Sequence, residues 1–84
     1  MNEQYKGAVV NFFAFKKQNV PLDEEGFWTD NYFALGYLDS LEFFQFILFL
    51  EQHLGIEIDI GHIIETSPSS FMTLYSAIFG VIDV

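Results

Sequence analysis

The stretch over residues 36–54, GYLDSLEFFQFILFLEQHL, restricts the possible folds more than any other part of this sequence. Asp39 is a favourable N-cap residue, and Glu42 three positions later can bond back to the cap, as in a capping box. At the 100° rotation per residue of a helix, one face of the stretch becomes wholly apolar. That face consists of Phe43, Phe46, Ile47, Leu50 and Leu54. The sequence therefore predicts a long central helix that begins after Asp39 and ends at Gly55.

Ser40 occupies the first turn of this predicted helix. The first backbone N–H groups of a helix have no intrahelical partner, and the helix dipole adds partial positive charge there. A phosphate attached to the Ser40 hydroxyl would therefore be stabilised at this position. The helix start is a candidate modification site, and the same residues would also serve as an ordinary helix cap.

Two further helices and one short helical turn are predicted. Residues 2–18 repeat apolar side chains at three- and four-residue spacing, as an amphipathic helix does, and Lys16 and Lys17 suit the negative end of its dipole. The apolar residues are Tyr5, Ala8, Val9, Phe12, Phe13 and Phe15. A short helical turn is expected over 61–65, and Ser67-Pro68 predicts a final helix over 68–79. Residues 56–60 alternate like a strand but have no partner strand, so a loop is predicted.

The connection over residues 22–38 is long for a small domain and is interrupted by Gly26, Asn31 and Gly36. Its apolar side chains are expected to hold it against the bundle, and short helical turns inside it are compatible with the pattern. These side chains are Phe27, Trp28, Tyr32, Phe33, Leu35 and Leu38.

The composition fits one small domain spanning residues 1–84. Hydrophobic residues make up 51% of the chain, which is enough for a single core without a metal or disulfide, and cysteine is absent. The start, MNEQYKGAVVNFF, is a poor secretory signal, and Glu42 and Glu51 bracket the apolar stretch too closely for a membrane span. We therefore expect a cytoplasmic monomer with no transmembrane segment.

The charge is strongly negative, with three lysines, twelve acidic residues and a formal net charge of −9. Nucleic acids and anionic membrane surfaces require basic patches, so neither is an expected partner. Basic protein surfaces complement this charge. The acids could equally serve only to keep an aromatic-rich domain soluble, and both interpretations stay open.

The sequence contains no pattern of catalytic or metal-binding residues. His53 and His62 are nine positions apart, outside the short spacings of zinc motifs, and the acidic runs lack the alternating ligands of a calcium loop. Ser40 has no histidine close in sequence, and GYLDSL is not a G-x-S-x-G elbow. We expect neither an enzyme nor a metal site.

The motif GYLDSL, followed by an apolar helix and then LGIEI, resembles the signature of acyl carrier proteins and related phosphopantetheine-binding carriers. The resemblance extends over almost the whole chain. It implies an all-α, four-helix acyl-carrier-like bundle with a long first loop and a short third helix. It also implies that a phosphopantetheinyl transferase attaches 4′-phosphopantetheine from coenzyme A to Ser40, and that the arm carries an acyl or aminoacyl group as a thioester. Asp39 and Leu41 complete the attachment motif.

The resemblance places partner docking on the central helix. The partners it implies are an acyl-loading ligase or transferase and downstream acyl-processing enzymes. By position, the docking residues are Leu41, Glu42, Gln45, Leu48, Phe49 and Gln52. Gln45 and Gln52 are neutral where the family commonly has acids, and Phe49 replaces a small or polar residue and forms an apolar patch with Leu41 and Leu48. These differences favour a dedicated partner with an apolar docking pocket over the standard enzymes of fatty acid biosynthesis.

The carrier subtype, the cargo and the use of the interior are left open by the sequence. The motif has one residue more between glycine and aspartate than is usual in fatty acid synthesis, which is closer to stand-alone and D-alanyl-type carriers. Fatty acid, polyketide and cell-wall D-alanylation pathways all remain possible sources of the cargo. The phenylalanines of the interior could pack it shut or leave room for an acyl chain. The alternative function is an unmodified helical interaction module, in which the apolar patch fills a partner's groove and Ser40 only caps the helix.

Overall fold

The computed structural model describes residues 1–80, and within that range it contains five helices and no strand. The helices are α1 (Glu3–Lys16), α2 (Glu25–Thr29), α3 (Ser40–Leu54), α4 (Ile60–Thr66) and α5 (Phe71–Phe79). Helix α1 packs against α3, whereas α5 packs against both α2 and α4. The predicted all-α, acyl-carrier-like bundle is confirmed, with α2 as an additional short helix inside the long first loop. The assignment of residues 1–84 to one domain stays a prediction, because 81–84 lie outside the described residues.

The start of the last helix differs from the prediction. Ser67 ends α4 in a left-handed conformation, with φ 48°, and its N–H donates back into that helix. The chain is non-helical at Pro68, and α5 begins only at Phe71, after a capping box between Ser70 and Thr73. The predicted helix start at Ser67-Pro68 was therefore wrong, because Ser67 ends the preceding helix instead of starting the next.

The other predicted elements are present with small shifts of their ends. Helix α1 begins after Asn2, whose side chain accepts the N–H of Tyr5, and ends at Lys17 in a left-handed conformation. The short helical turn is α4, and residues 56–59 form the predicted loop. Phe15 departs from the apolar face of α1, because its side chain is 79% exposed.

The core is aromatic and is centred on Phe71, the first residue of α5, which is fully buried. Rings from α1, α2, α3 and the long loop surround it, with centroids 5.0 to 6.2 Å from its own. They belong to Phe13, Phe27, Trp28, Tyr32 and Phe46. Aromatic pairs of this kind add about 0.5–1.5 kcal/mol each beyond the burial of their area. The phenylalanines of the interior therefore pack against one another.

Two buried tyrosines form hydrogen bonds that hold the start of α5 and the segment before it against the rest of the bundle. The Tyr5 hydroxyl donates to the carbonyl of Phe71 at 2.7 Å, and the Tyr32 hydroxyl donates to the carbonyl of Pro68 at 2.6 Å. Burial raises the pKa of the Tyr5 phenol well above its usual value, with a smaller contribution from neighbouring tyrosines, and burial likewise raises the pKa of Tyr32. Both phenols are held neutral and act as hydrogen-bond donors.

The long loop is held against the bundle, as predicted, by part of its apolar side chains. Phe27, Tyr32 and Leu38 are buried, whereas Phe33 and Leu35 are 42% and 51% exposed. The backbone N–H of Tyr32 also donates to the carbonyl of Ser69 at 3.0 Å. Across residues 1–80, no helix is both long enough and apolar enough to span a membrane.

Candidate functional site

The start of α3 is fixed by a complete capping box. The Asp39 backbone is extended, and its Oδ1 accepts the N–H of Glu42 at 2.8 Å. In return, Glu42 Oε1 accepts the N–H of Asp39 at 3.0 Å. This reciprocal pair is the one that the sequence predicted. It sets the direction in which the first helical residue, Ser40, presents its side chain.

Ser40 is exposed at this helix start. Its hydroxyl makes no hydrogen bond to any residue of the described range 1–80. The capping box uses the N–H of Glu42, and the N–H of Phe43 donates to the carbonyl of Asp39, so the amides of Ser40 and Leu41 precede the bonded part of the helix. An anionic group on the Ser40 oxygen would meet these amides and the positive end of the helix dipole.

The turn before the serine is held by the long loop. Gly36 adopts φ 76°, a left-handed conformation that glycine accepts at little cost. The carbonyl of Tyr32 then accepts the N–H groups of both Tyr37 and Leu38, at 2.9 and 3.2 Å. Since Tyr32 and Leu38 are also buried, the backbone leading into Asp39 is anchored to the core.

A contact from α1 reaches the same turn. The Lys16 Nζ donates to the carbonyl of Tyr37 at 3.2 Å and forms an ion pair with Glu42. The sequence indicated only that Lys16 suits the end of α1. No local pattern could reveal these contacts, because Tyr37 and Glu42 follow Lys16 by 21 and 26 positions in the sequence.

An apolar groove adjoins Ser40 and has a volume of about 380 Å³. It lies between the start of α3, the long loop and the segment that joins α4 to α5. Its lining residues are Phe33, Ser40, Phe43, Phe44, Ile63, Ile64, Ser67, Pro68 and Ser69. No sequence pattern indicates that α4 and the following segment lie at the site, because only the packing of α4 brings them there.

The predicted docking residues lie along the exposed side of α3. Leu41 and Leu48 are 67% and 57% exposed, and Gln45 and Gln52 are also exposed. Phe49 is half-buried. Its ring centroid lies 5.5 Å from that of Phe12 on α1 and 5.4 Å from that of His53, on which it stacks.

A second groove, of about 370 Å³, lies at the surface where α1 and α3 meet. Its lining residues are Phe12, Phe15, Lys16, Gln45, Leu48, Phe49 and Gln52. The exposed Phe15 therefore faces the same groove as four of the six predicted docking residues, a position that its sequence spacing did not indicate.

The part of the chain that the structure describes holds no cluster of three or more side chains able to bind a metal ion. His53 lies against Phe49 on α3, and His62 is exposed on α4. Neither histidine lines the groove beside Ser40.

The family model for phosphopantetheine attachment sites matches residues 18–70, well over half of the 84-residue chain. The matched segment contains the Ser40 turn, α3, α4 and all the residues that line the groove beside Ser40. The chain belongs to this family. Neither the curated proteins nor the solved structures provided a match.

Members of the phosphopantetheine attachment family are non-catalytic carriers that bind 4′-phosphopantetheine. They interact with phosphopantetheinyl transferases and with acyl-processing enzymes in general. The start of α3 fits this prosthetic group, because an exposed hydroxyl, two amides ahead of the bonded helix and an apolar groove lie side by side. The predicted family and cofactor are thereby confirmed.

Proposed function

We propose that this carrier bears 4′-phosphopantetheine on the Ser40 hydroxyl and delivers an acyl or aminoacyl group to partner enzymes. The observation that carries the proposal is the exposed Ser40 hydroxyl at a capped helix start, directly beside an apolar groove. Two nearby serines are less suitable, because the hydroxyls of Ser67 and Ser70 are engaged in hydrogen bonds at the end of α4 and the start of α5. Ser69 is exposed in the groove but precedes the N-cap of α5 and does not lie in the first turn of a helix.

The attachment is a phosphoryl transfer from coenzyme A. The Ser40 Oγ forms an ester bond to the phosphorus that bears the pantetheine arm. The bond from that phosphorus to the adenosine bisphosphate half of coenzyme A breaks, and adenosine 3′,5′-bisphosphate leaves. The hydroxyl proton passes to a base of the transferase. Asp39 contributes through its backbone and side chain, which hold the helix start and therefore the direction of the Ser40 oxygen.

The chain has no cysteine, so the bound arm supplies the thiol on which an acyl or aminoacyl cargo is held as a thioester. The groove beside Ser40 is the surface available to the arm and its cargo. Phe44 and Ile64, 41% and 57% exposed, offer apolar contact there, and Ser69 offers a polar one.

The proposed partners are a phosphopantetheinyl transferase, an acyl-loading ligase or transferase, and acyl-processing enzymes. Their docking surface on α3 comprises Leu41, Glu42, Gln45, Leu48, Phe49 and Gln52. The net charge of −9 steers basic partners toward the carrier and opposes its self-association, which suits a monomeric carrier of the cytoplasm.

The test is the intact mass of the protein after incubation with coenzyme A and a promiscuous phosphopantetheinyl transferase. The mass should rise by one phosphopantetheine group, and Ser40→Ala should abolish the gain. Ser69→Ala is the matched control, because it removes a second exposed hydroxyl from the same groove and should leave the gain intact. A folded protein that gains no mass with several transferases would instead be an unmodified interaction module.

A further inference from the structure

Lys16 is the last residue of α1, yet its charged end lies at the turn that presents Ser40. It donates to the carbonyl of Tyr37, three residues before the serine, and pairs with Glu42, two residues after it. The side chain is only 16% exposed, and its Nζ lies 5.7 and 5.3 Å from the ring centroids of Phe12 and Phe13. Four partners, from α1, the long loop and α3, therefore hold this ammonium group in one place.

Both oxygens of the Glu42 carboxylate are used inside the protein. Oε1 accepts the N–H of Asp39 in the capping box, and Oε2 contacts Lys16. Glu42 is 29% exposed, so this ion pair is partly shielded from water and is screened less by salt than a fully exposed pair. The carboxylate that caps α3 is thus also neutralised by α1.

This pairing changes the character of the proposed docking surface. Glu42 is the one acid among its six residues, and the other five are neutral or apolar. With Lys16 in place, a partner's lysine or arginine would have to displace an internal ammonium group to reach Glu42. The adjoining groove offers Phe15, Leu48 and Phe49 instead.

We propose that Lys16 is a positioning residue for the Ser40 turn and that it withholds Glu42 from ionic contact with partners. The inference rests on the proposed attachment at Ser40. Lys16 replaces the basic side chain that a partner would otherwise bring to Glu42. The protein that docks on α3 therefore recognises apolar side chains with a neutral polar rim.

The experiment measures the rate of mass gain against carrier concentration, at low and high salt, with coenzyme A and a transferase. Lys16→Met keeps the length of the side chain and removes the charge. Lys17→Met is the matched control, since it makes the same change in net charge at the exposed neighbour. Lys16→Arg tests rescue, because arginine can still donate to both acceptors.

For Lys16→Met we expect kcat for loading to fall about tenfold, the order that the loss of one charge-assisted hydrogen bond produces. KM should fall at low salt and become more dependent on salt than in Lys17→Met, because the freed Glu42 carboxylate now meets the basic surface that binds the phosphates of coenzyme A. Lys16→Arg should restore both values toward wild type. In a Glu42→Gln background, Lys16→Met should no longer alter the salt dependence of KM.

A second measurement does not depend on loading. Amide hydrogen exchange at Asp39 and Glu42 in the unmodified protein should be faster in Lys16→Met than in Lys17→Met. Equal exchange, together with equal kcat and salt dependence in the two variants, would overturn the inference. A wild-type protein that gains no mass would refute the attachment proposal, while the exchange rates would still decide whether Lys16 holds the turn.

Discussion

Tyr32→Phe isolates one hydrogen bond that joins two walls of the groove beside Ser40. The substitution removes the hydroxyl that donates to the carbonyl of Pro68 at 2.6 Å and leaves the ring in its packed position. The ring is fully buried, so water cannot readily replace the lost donor. The net contribution of one hydrogen bond to the free energy of unfolding is about 0.5–1.5 kcal/mol. Because the buried Pro68 carbonyl is left without a donor, the expected loss of stability is about 1–3 kcal/mol.

A loss of about 2 kcal/mol is large for a domain of this size, whose free energy of unfolding is of order 5–15 kcal/mol. It corresponds to a fall in Tm of about 8–16 °C. The assay is urea unfolding followed by far-ultraviolet circular dichroism and by the fluorescence of Trp28. The midpoint should fall without a change in the dependence on urea, because the ring and the buried area are retained.

Tyr37→Phe is the control for this substitution. Tyr37 is half-buried, and its hydroxyl makes no hydrogen bond within the described residues, so its removal should change the free energy of unfolding by less than about 0.5 kcal/mol. Equal midpoints for Tyr32→Phe and Tyr37→Phe would refute the role assigned to the Tyr32 hydroxyl.

Three further changes test the phenols, the helix cap and the turn. Stability should be full below about pH 10 and fall above it, because phenols of the unfolded chain ionise there while burial raises the pKa of Tyr5. Tyr5→Phe should lose less stability than wild type between about pH 9 and pH 11 in urea titrations, and an equal loss would contradict this. Asp39→Ala should lower the free energy of unfolding by about 1 kcal/mol and slow the attachment of phosphopantetheine, because the N-cap is lost. Asp39→Asn should behave like wild type, and equal effects of the two substitutions would exclude a capping role. Gly36→Ala should cost about 1–2 kcal/mol, because φ is 76° although an added Cβ meets no atom within 4 Å, and Gly36→Asn should cost less. A neutral Gly36→Ala in thermal unfolding would show that the turn relaxes.

The sequence predicted best where structure depends on residues a few positions apart. Asp39 and Glu42 can satisfy each other's backbone groups whatever the rest of the chain does, so the start of α3 was predicted correctly. Ser67-Pro68 shows the limit of such local reasoning. A serine before proline suits a helix start, but the same serine ends α4 in a left-handed conformation, and only the packing of α4 and α5 selects between the two.

The parts of the site that escaped prediction depend on contacts between distant segments. Lys16 and Glu42 are 26 positions apart, and no local pattern pairs them. Phe49 falls on the polar face of α3 when that helix is drawn alone, but Phe12 of α1 packs against it and shields part of its ring. The groove wall formed by Ile64 and Ser69 likewise exists only because α4 folds back toward the start of α3.

The position of Phe71 in the chain has a consequence for how the protein is made. The segment that matches the family model ends at residue 70, one position before the ring on which α1, α2, α3 and the long loop converge. A fragment restricted to residues 18–70 would contain the serine and its helix but would lack the centre of the core. During synthesis, the helices made first cannot complete their packing until residue 71 has left the ribosome. A side chain just beyond the matched segment thus completes the core against which the serine-bearing helix packs.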